Sequence, residues 1–296
     1  MDSTIFSVMS FNVWGLHVGG LTLAEDIDGR LKAMVDPIRD LGPDIIAFQE
    51  VWSDAIWRHL VEELDYPFFA YRPNRGWVRG HLGNGLLVLS RFPLARERVR
   101  RFSALTRTQE ILASKGAMLV DLVTPQGLVT LINTHLGSGF TARMGKRRIA
   151  QLHELFEWTA DIPREHPVIL AGDLNLNPHS ETYEFLYEWI EARYDRVSGD
   201  TFRQANPGDP GYTYYRSRSR GRKGTDPCGL AQRIDYIFVL CPLESTARIA
   251  VLESVVVLDL PESPLSDHCG VLTRLEIAPV SAGDVWPREG SDFNEL

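Results

Sequence analysis

Four apolar runs of this chain carry a polar side chain at or near their ends. Ile5 to Val13 holds Asn12, Asp44 to Glu50 stops on Glu50, Leu128 to His135 on His135, and Val168 to Asp173 on Asp173. Apolar runs of this length bounded by turn residues read as buried strands. A carboxylate or amide is costly to bury without a partner, so its recurrence at strand ends implies one shared polar site.

Between the strands lie segments of helical period. Leu31, Met34, Val35, Ile38 and Leu41 recur at helical spacing, and this helix is expected to stop at Gly42-Pro43. Ser53 can cap a second helix through Ile56, Leu60, Val61 and Leu64. Ile149, Leu152, Leu155 and Phe156 mark a third, and Ser180 opens a fourth through Leu186 and Ile190. Further strands are expected at Gly85 to Ser90, Arg233 to Leu240, Val251 to Leu258 and Gly270 to Ile277. Ala117 to Val123 and Leu128 to His135 flank Pro125-Gln126-Gly127, turn chemistry that predicts an antiparallel hairpin and a mixed sheet. Alternating strands and helices specify an α/β layered fold. At 296 residues the chain reads as one catalytic domain over 1–278 with a loose tail over 279–296. Residues 199 to 229 read as a long Gly-, Pro-, Arg- and Tyr-rich insertion.

The strand-end residues suit phosphate-ester chemistry. Glu50 is a candidate oxygen ligand for a hard divalent cation, and Asn12 could give its amide to the metal or to a phosphate. Asp173 and Asn175, alternate residues of Ala171-Gly172-Asp173-Leu174-Asn175, are expected to face one pocket. Asp235 could accept the Nδ1 proton of His268 and raise its basicity toward a water, leaving Asp267 to reach the metal. His135 can donate to a phosphoryl oxygen. His17, His59, His81, His153, His166 and His179 are assigned structural places. No closely spaced His or Cys ligands indicate a zinc site.

The formal charge of −8 argues against a surface built for general binding of polyanions, and it does not exclude a locally basic site. Arg216, Arg218, Arg220, Arg222 and Lys223 form one basic patch, read either as a solvated loop or as a phosphate contact. Cys228, Cys241 and Cys269, odd in number, do not suggest a disulfide framework. No signal-peptide pattern or membrane-spanning run is present in the sequence given, and a cytoplasmic monomer is the expectation.

The segments SFNVWG, AFQEVW, NGLLVLSRFP, LINTHL, AGDLNLNP, RIDYIFV and LSDHCGVL, in this order between residues 10 and 272, resemble the endonuclease/exonuclease/phosphatase superfamily. The resemblance implies a four-layered α/β sandwich of two packed mixed β-sheets flanked by helices. It also implies Mg²⁺-dependent phosphoester hydrolysis, with Mn²⁺ as a substitute. Carried over residue by residue, Glu50 becomes the principal metal ligand, with Asn12 and Asp267. Asp173 and Asn175 orient nucleophile and phosphate, His135 stabilises the phosphoryl or leaving group, and Asp235 with His268 forms the base.

FNVWG, QEVWSDAIWRHL and SKGAMLVDL look most like neutral sphingomyelinases, in which a lysine beside a glycine lies by the substrate phosphate; Lys115 would then be a phosphate contact. That implies release of phosphocholine from a choline-type phospholipid, with peripheral membrane contact. The aromatic tip of bacterial sphingomyelinases is missing between Cys241 and Pro264, so membrane approach would need other residues, for which Phe140 or Trp77 could serve. A nuclease acting on DNA or RNA is the main alternative, and an inactive phosphate-binding scaffold a third.

Overall fold

Side-chain alternation along the strands decides how this chain layers. In the computed structural model, the Phe6 and Val8 side chains of the first strand enter one core while Met9, Phe11 and Val13 enter another on its opposite face. The structure describes residues 3–280 apart from 16, 19–20, 23, 73–83, 105–114, 140, 196–197, 217 and 219–230. Trp77, His81, Phe140, Arg220, Arg222, Lys223, Cys228 and the tail from 281 lie outside the described residues.

In chain order the elements are β1 (Thr4–Asn12), β2 (His17–Val18), β3 (Leu21–Thr22), α1 (Ile27–Leu41), β4 (Ile45–Gln49), α2 (Asp54–Leu64), β5 (Phe68–Tyr71), β6 (Leu87–Ser90), β7 (Leu94–Arg101), β8 (Gly116–Thr124) and β9 (Gly127–His135). They continue with α3 (Ala142–Trp158), β10 (Val168–Asp173), α4 (Glu181–Glu191), β11 (Gly199–Asp200), α5 (Thr201–Ala205), β12 (Tyr214–Tyr215), β13 (Ala231–Gln232), β14 (Asp235–Leu240), β15 (Ala247–Val257) and β16 (Gly270–Pro279).

One six-stranded sheet runs β15-β16-β1-β4-β6-β5 and the other β11-β14-β10-β9-β8-β7. Each is mixed: β1 pairs parallel with β4 and antiparallel with β16, and β10 pairs parallel with β9 and antiparallel with β14. The space between the sheets is filled by Val8, Ala47, Val88, Val120, Leu131, Ala171, Ile237 and their neighbours. The outer face of the first sheet packs on Leu31, Met34, Ile56 and Leu60 of α1 and α2, and that of the second on Leu152, Leu155, Leu186 and Ile190 of α3 and α4. This is the expected four-layered sandwich.

The punctuation read from sequence holds at several ends. Gly42 takes φ 56° and its N–H closes α1 on the Ile38 carbonyl, while Ser53 and Ser180 accept from the backbone N–H of Ile56 and Tyr183. β8 and β9 form the expected hairpin, paired from Ala117↔Thr134 to Thr124↔Gly127. Other boundaries differ. β14 begins at Asp235, β15 already at Ala247, and β16 runs on to Pro279, one residue past the expected domain limit. Residues 199 to 229 are not a single structureless insertion: β11, α5 and β12 lie within the segment, and α5 packs on β15.

Candidate active site

The inward-facing positions of the strands are apolar for most of their length and turn polar at one end of the sandwich. On β1 the series Phe6, Val8 continues as Ser10, Asn12; on β9 Val129, Leu131 continues as Asn133, His135; on β10 Ile169, Ala171 is followed by Asp173. Gln49 ends the same face of β4, and Asp235 begins that of β14. Register levels them: Asn12 pairs with Gln49, and Asp173 pairs with both His135 and Asp235. Gly172 makes this approach possible. Its φ is 147°, and a Cβ there would stand 1.9 Å from the Thr134 carbonyl oxygen.

Asp173 is the hub. One carboxylate oxygen accepts from Asn12 Nδ2 at 3.0 Å and lies 3.1 Å from His135 Nε2; the other accepts from the Asn175 backbone N–H at 3.0 Å. Burial pushes the carboxyl pKa up, but the charges of His135, His268 and Lys115 win and hold it well below the usual range. Asn12 is thereby a tie between the sheets, its Oδ1 also accepting from Trp14 N–H at 2.9 Å.

His268 Nδ1 lies 2.8 Å from Asp235 Oδ2, the pairing read from sequence. Thr213 Oγ1 donates to that same oxygen at 2.7 Å and accepts from the Ile234 and Asp235 N–H groups, each at 3.1 Å. Burial alone would lower the imidazole pKa; Asp235 above all, with Asp173 and Asp267, holds it up to about 10. His268 Nε2 stands 3.9 Å from both Asp173 Oδ2 and Asp267 Oδ1, outside hydrogen-bond reach and between two carboxylates. Thr213 had no signal in the sequence beyond standing in a Tyr-rich stretch. Its segment is laced to the histidine loop by Cys269 N–H to Thr213 O at 2.6 Å and Tyr215 N–H to Asp267 O at 3.1 Å.

Lys115 is buried. Its Nζ lies 2.8 Å from His135 Nε2 and donates to the Leu136 carbonyl at 2.8 Å. Asn175 joins the site by a different route from the one expected. β10 ends at Asp173, Asn175 takes a left-handed φ of 51°, and its Nδ2 donates to Leu136 O at 3.2 Å. It reaches the pocket through an Asx-type turn onto Asp173, not through strand alternation. Gln49 and Asn133 were not singled out by sequence. Gln49 Nε2 donates to Asn133 Oδ1 at 2.9 Å, joining the two sheets beneath the site.

Glu50 also has a left-handed φ, 61°, and its Oε2 is buried without a partner. Burial and the charges of Glu50 and Asp173 raise the Asp267 carboxyl to about 7 against His268 and Arg30. An orphaned carboxylate oxygen beside a second acid held up by crowding is a donor set suited to a hard divalent cation. Ligand atoms of Asp173, Asp235 and His268 also lie within 4.8 Å of one another. We favour Glu50 and Asp267 for the cation because Asp235 and His268 already bond each other. Arg218, in the expected basic patch, is committed elsewhere: it pairs with Asp259 at 2.5 Å and donates to Cys269 Sγ at 3.2 Å.

Known proteins resemble this chain in sequence and in fold. The chain is 27% identical to an inositol phosphosphingolipids phospholipase C of Schizosaccharomyces pombe over 91% of its length and 68% of that protein's. It is 26% identical to a putative neutral sphingomyelinase of Drosophila melanogaster over 92% of its length and 60% of that protein's. A solved structure of D. rerio TDP2 complexed with a single-strand DNA product superposes with a TM-score of 0.69 at 17% identity, covering 92% of this chain and 99% of that one, a likeness of fold. With the family model matching residues 9–292, the strand-end carboxylates and the paired His268 belong to a member of the Endonuclease/Exonuclease/phosphatase family, whose members are phosphoric ester hydrolases.

Proposed function

We propose that this chain is a Mg²⁺-dependent phosphodiesterase, with Mn²⁺ able to substitute, that cleaves a choline-type sphingophospholipid on the headgroup side and releases phosphocholine. The observation that carries the chemistry is His268, fixed through Nδ1 by Asp235 while its Nε2 stands open between Asp173 and Asp267. The lipid assignment is supported by similarity to two sphingolipid-directed relatives along nine-tenths of the chain, and by a net charge of −8 that disfavours a polyanion.

In this reading water attacks phosphorus and passes its proton to His268 Nε2, while the bond from phosphorus to the lipid oxygen breaks and that oxygen takes up a proton from solvent, releasing the lipid alcohol and phosphocholine. Asp173 is a poor base because its carboxylate is held far down by His135, His268 and Lys115; it fixes Asn12, His135 and the Asn175 turn in place. Lys115 and His135 stand together and would face the charge growing on the phosphoryl oxygens. Glu50 and Asp267, with the remaining lone pair of Asn12 Oδ1, would hold the cation. When bound, it supplies positive charge to the phosphate and neutralises the acids around His268. With those acids neutralised, His268 is held less tightly to its proton and its Nε2 can serve as the base.

The test is release of phosphocholine from sphingomyelin micelles, dependent on Mg²⁺ and lost in His268→Ala. A second reading, a nuclease using the same groups, is supported by the fold shared with a DNA-product complex. Plasmid nicking without phosphocholine release would select it. Absence of both activities and of cation binding would leave a phosphate-binding scaffold.

A further inference from the structure

We infer that Arg30 is the positioning residue of the cation site, a guanidinium that clamps the loop backing Glu50 and the loop carrying Asp267 into one register. The inference rests on the assignment of Glu50 and Asp267 as the cation's ligands.

Arg30, on the first turn of α1, is buried, and its guanidinium donates to four backbone carbonyls. Nε donates to Glu25 O at 2.8 Å, Nη1 to Val13 O at 2.9 Å and Leu265 O at 2.8 Å, and Nη2 to Trp14 O at 2.8 Å. The Trp14 ring covers the plane, its centroid 4.7 Å from Cζ. Three of these carbonyls, those of Val13, Trp14 and Leu265, belong to the two walls of the site. Val13 and Trp14 directly follow Asn12, and the next residue, Gly15, lies so close to Glu50 that a Cβ would stand 2.4 Å from the Glu50 carbonyl oxygen. Leu265 opens Leu265-Ser266-Asp267-His268, whose Ser266 Oγ donates to Asn12 O at 2.7 Å.

One side chain therefore bridges the loop that backs Glu50 to the loop that carries Asp267. Trp14 pays for its place with a left-handed φ of 49°, which persists only where the surroundings fix it. Burial lowers the Arg30 pKa, and the nearby charges of Asp267, Asp26 and Glu50 oppose that loss, so the guanidinium is also a counter-charge to the acid pair. The two roles predict opposite effects of mutation. A counter-charge competes with the cation, and removing it would tighten binding; a clamp creates the site, and removing it would weaken binding. A lysine keeps the charge but cannot reproduce a planar fork reaching separate carbonyls.

The experiment is calorimetric titration of the metal-free protein with Mn²⁺, alongside hydrogen exchange of the 13–15 and 265–268 amides without metal. Arg30→Lys and Arg30→Met are both expected to weaken Mn²⁺ by about 10- to 100-fold, the range typical for groups that orient metal ligands. Exchange at both loops should quicken while that of β9 and β10 is unchanged. Unchanged affinity in Arg30→Lys, or tighter binding in Arg30→Met, overturns the clamp. Glu50→Gln separates the two levels: Mn²⁺ binding retained there refutes the cation site itself. Binding lost in Glu50→Gln but intact in Arg30→Lys refutes only the inference. Should neither Arg30 variant fold, Trp14→Leu strips the ring from the guanidinium and leaves its carbonyl bonds; it should weaken Mn²⁺ measurably, and unchanged affinity and exchange there would reject the clamp.

Discussion

Asn133 offers the sharpest test of how the sandwich closes at its catalytic end. It is fully buried at the inner face of β9 and bonds entirely to the opposite sheet. Its Oδ1 accepts from Gln49 Nε2 at 2.9 Å, and its Nδ2 donates to Phe48 O at 2.9 Å and Leu87 O at 3.2 Å. Each such bond contributes roughly 1 kcal/mol net. Truncation also leaves a small void among close-packed strands. Gln49 Nε2 keeps Ala47 O at 2.9 Å and so is not orphaned, which limits the penalty. Asn133→Ala is therefore expected to cost roughly 3–4 kcal/mol, a large share of the roughly 5–15 kcal/mol that holds a domain folded. Urea unfolding followed by tryptophan fluorescence should show a lower midpoint at unchanged slope. Because Gln49 directly precedes Glu50, cation affinity of the folded protein should fall too. A loss below about 1 kcal/mol would mean that these ties only replace water contacts, and the account of the polar end would be wrong.

His268→Ala and Asp235→Asn should each lower kcat by about 10²- to 10⁴-fold with little change in KM, read from headgroup release; a drop confined to KM would contradict the proton-transfer role. Thr213→Val removes the hydroxyl that bonds both the carboxylate and the N–H of Asp235, and a kcat loss of about tenfold is expected, with an unaltered rate rejecting that positioning role. Since the Asp267 carboxyl is raised to about 7 and must be ionised to bind a cation, affinity for Mg²⁺ should fall as pH drops below 7 and level off above it. Calorimetry at pH 6 and 8 giving equal affinities would remove Asp267 from the ligand set. Gly172→Ala, with no room beside Thr134 O, should destabilise by at least about 2 kcal/mol in thermal unfolding; a neutral result would refute the close approach of β9 and β10.

The strands that build the site were legible because they are buried on both faces and stand out as apolar runs. β7 was not, since Leu94–Arg101 reads as a charged stretch. It is the edge of its sheet, and its arginines are paired, Arg96 with the buried Asp121 of the neighbouring strand β8 at 2.6 Å and Arg98 with the exposed Asp161 at 2.6 Å. β5, four residues at the edge of the other sheet, is too short to show a period. Asp173, His135 and Asp235 could be placed from alternation because they lie inside strands. Asn175 and Glu50 could not, since each follows a strand end and turns through a positive φ that no pattern announces. Thr213 and Arg30 act through contacts with carbonyls and carboxylates distant in sequence. Arg218 shows the converse: the arginine-rich run left a solvated loop and a phosphate contact both open, and Asp259 and Cys269, invisible to local reading, hold this arginine.

Charge balance within the site explains which group can move a proton. Asp173, Asp235, Asp267 and Glu50 converge on an interior whose cations are Lys115, Arg30 and whatever charge His135 and His268 carry. Without another cation, this excess of acid holds a proton on His268 and another partly on Asp267, so both candidate reagents are in the wrong state at neutral pH. Asp173 escapes because its three partners stabilise the carboxylate, which also makes it the weakest base present. On the proposed assignment, a divalent ion held by Glu50 and Asp267 would correct both faults together, favouring ionised Asp267 and weakening the field that keeps His268 protonated. Cation binding should therefore release protons to the buffer, more than the partial proton of Asp267 alone if His268 responds. Titration in buffers of different ionisation enthalpy measures that number directly. A count of zero at pH 7 would refute the coupling between the acid pair and the base.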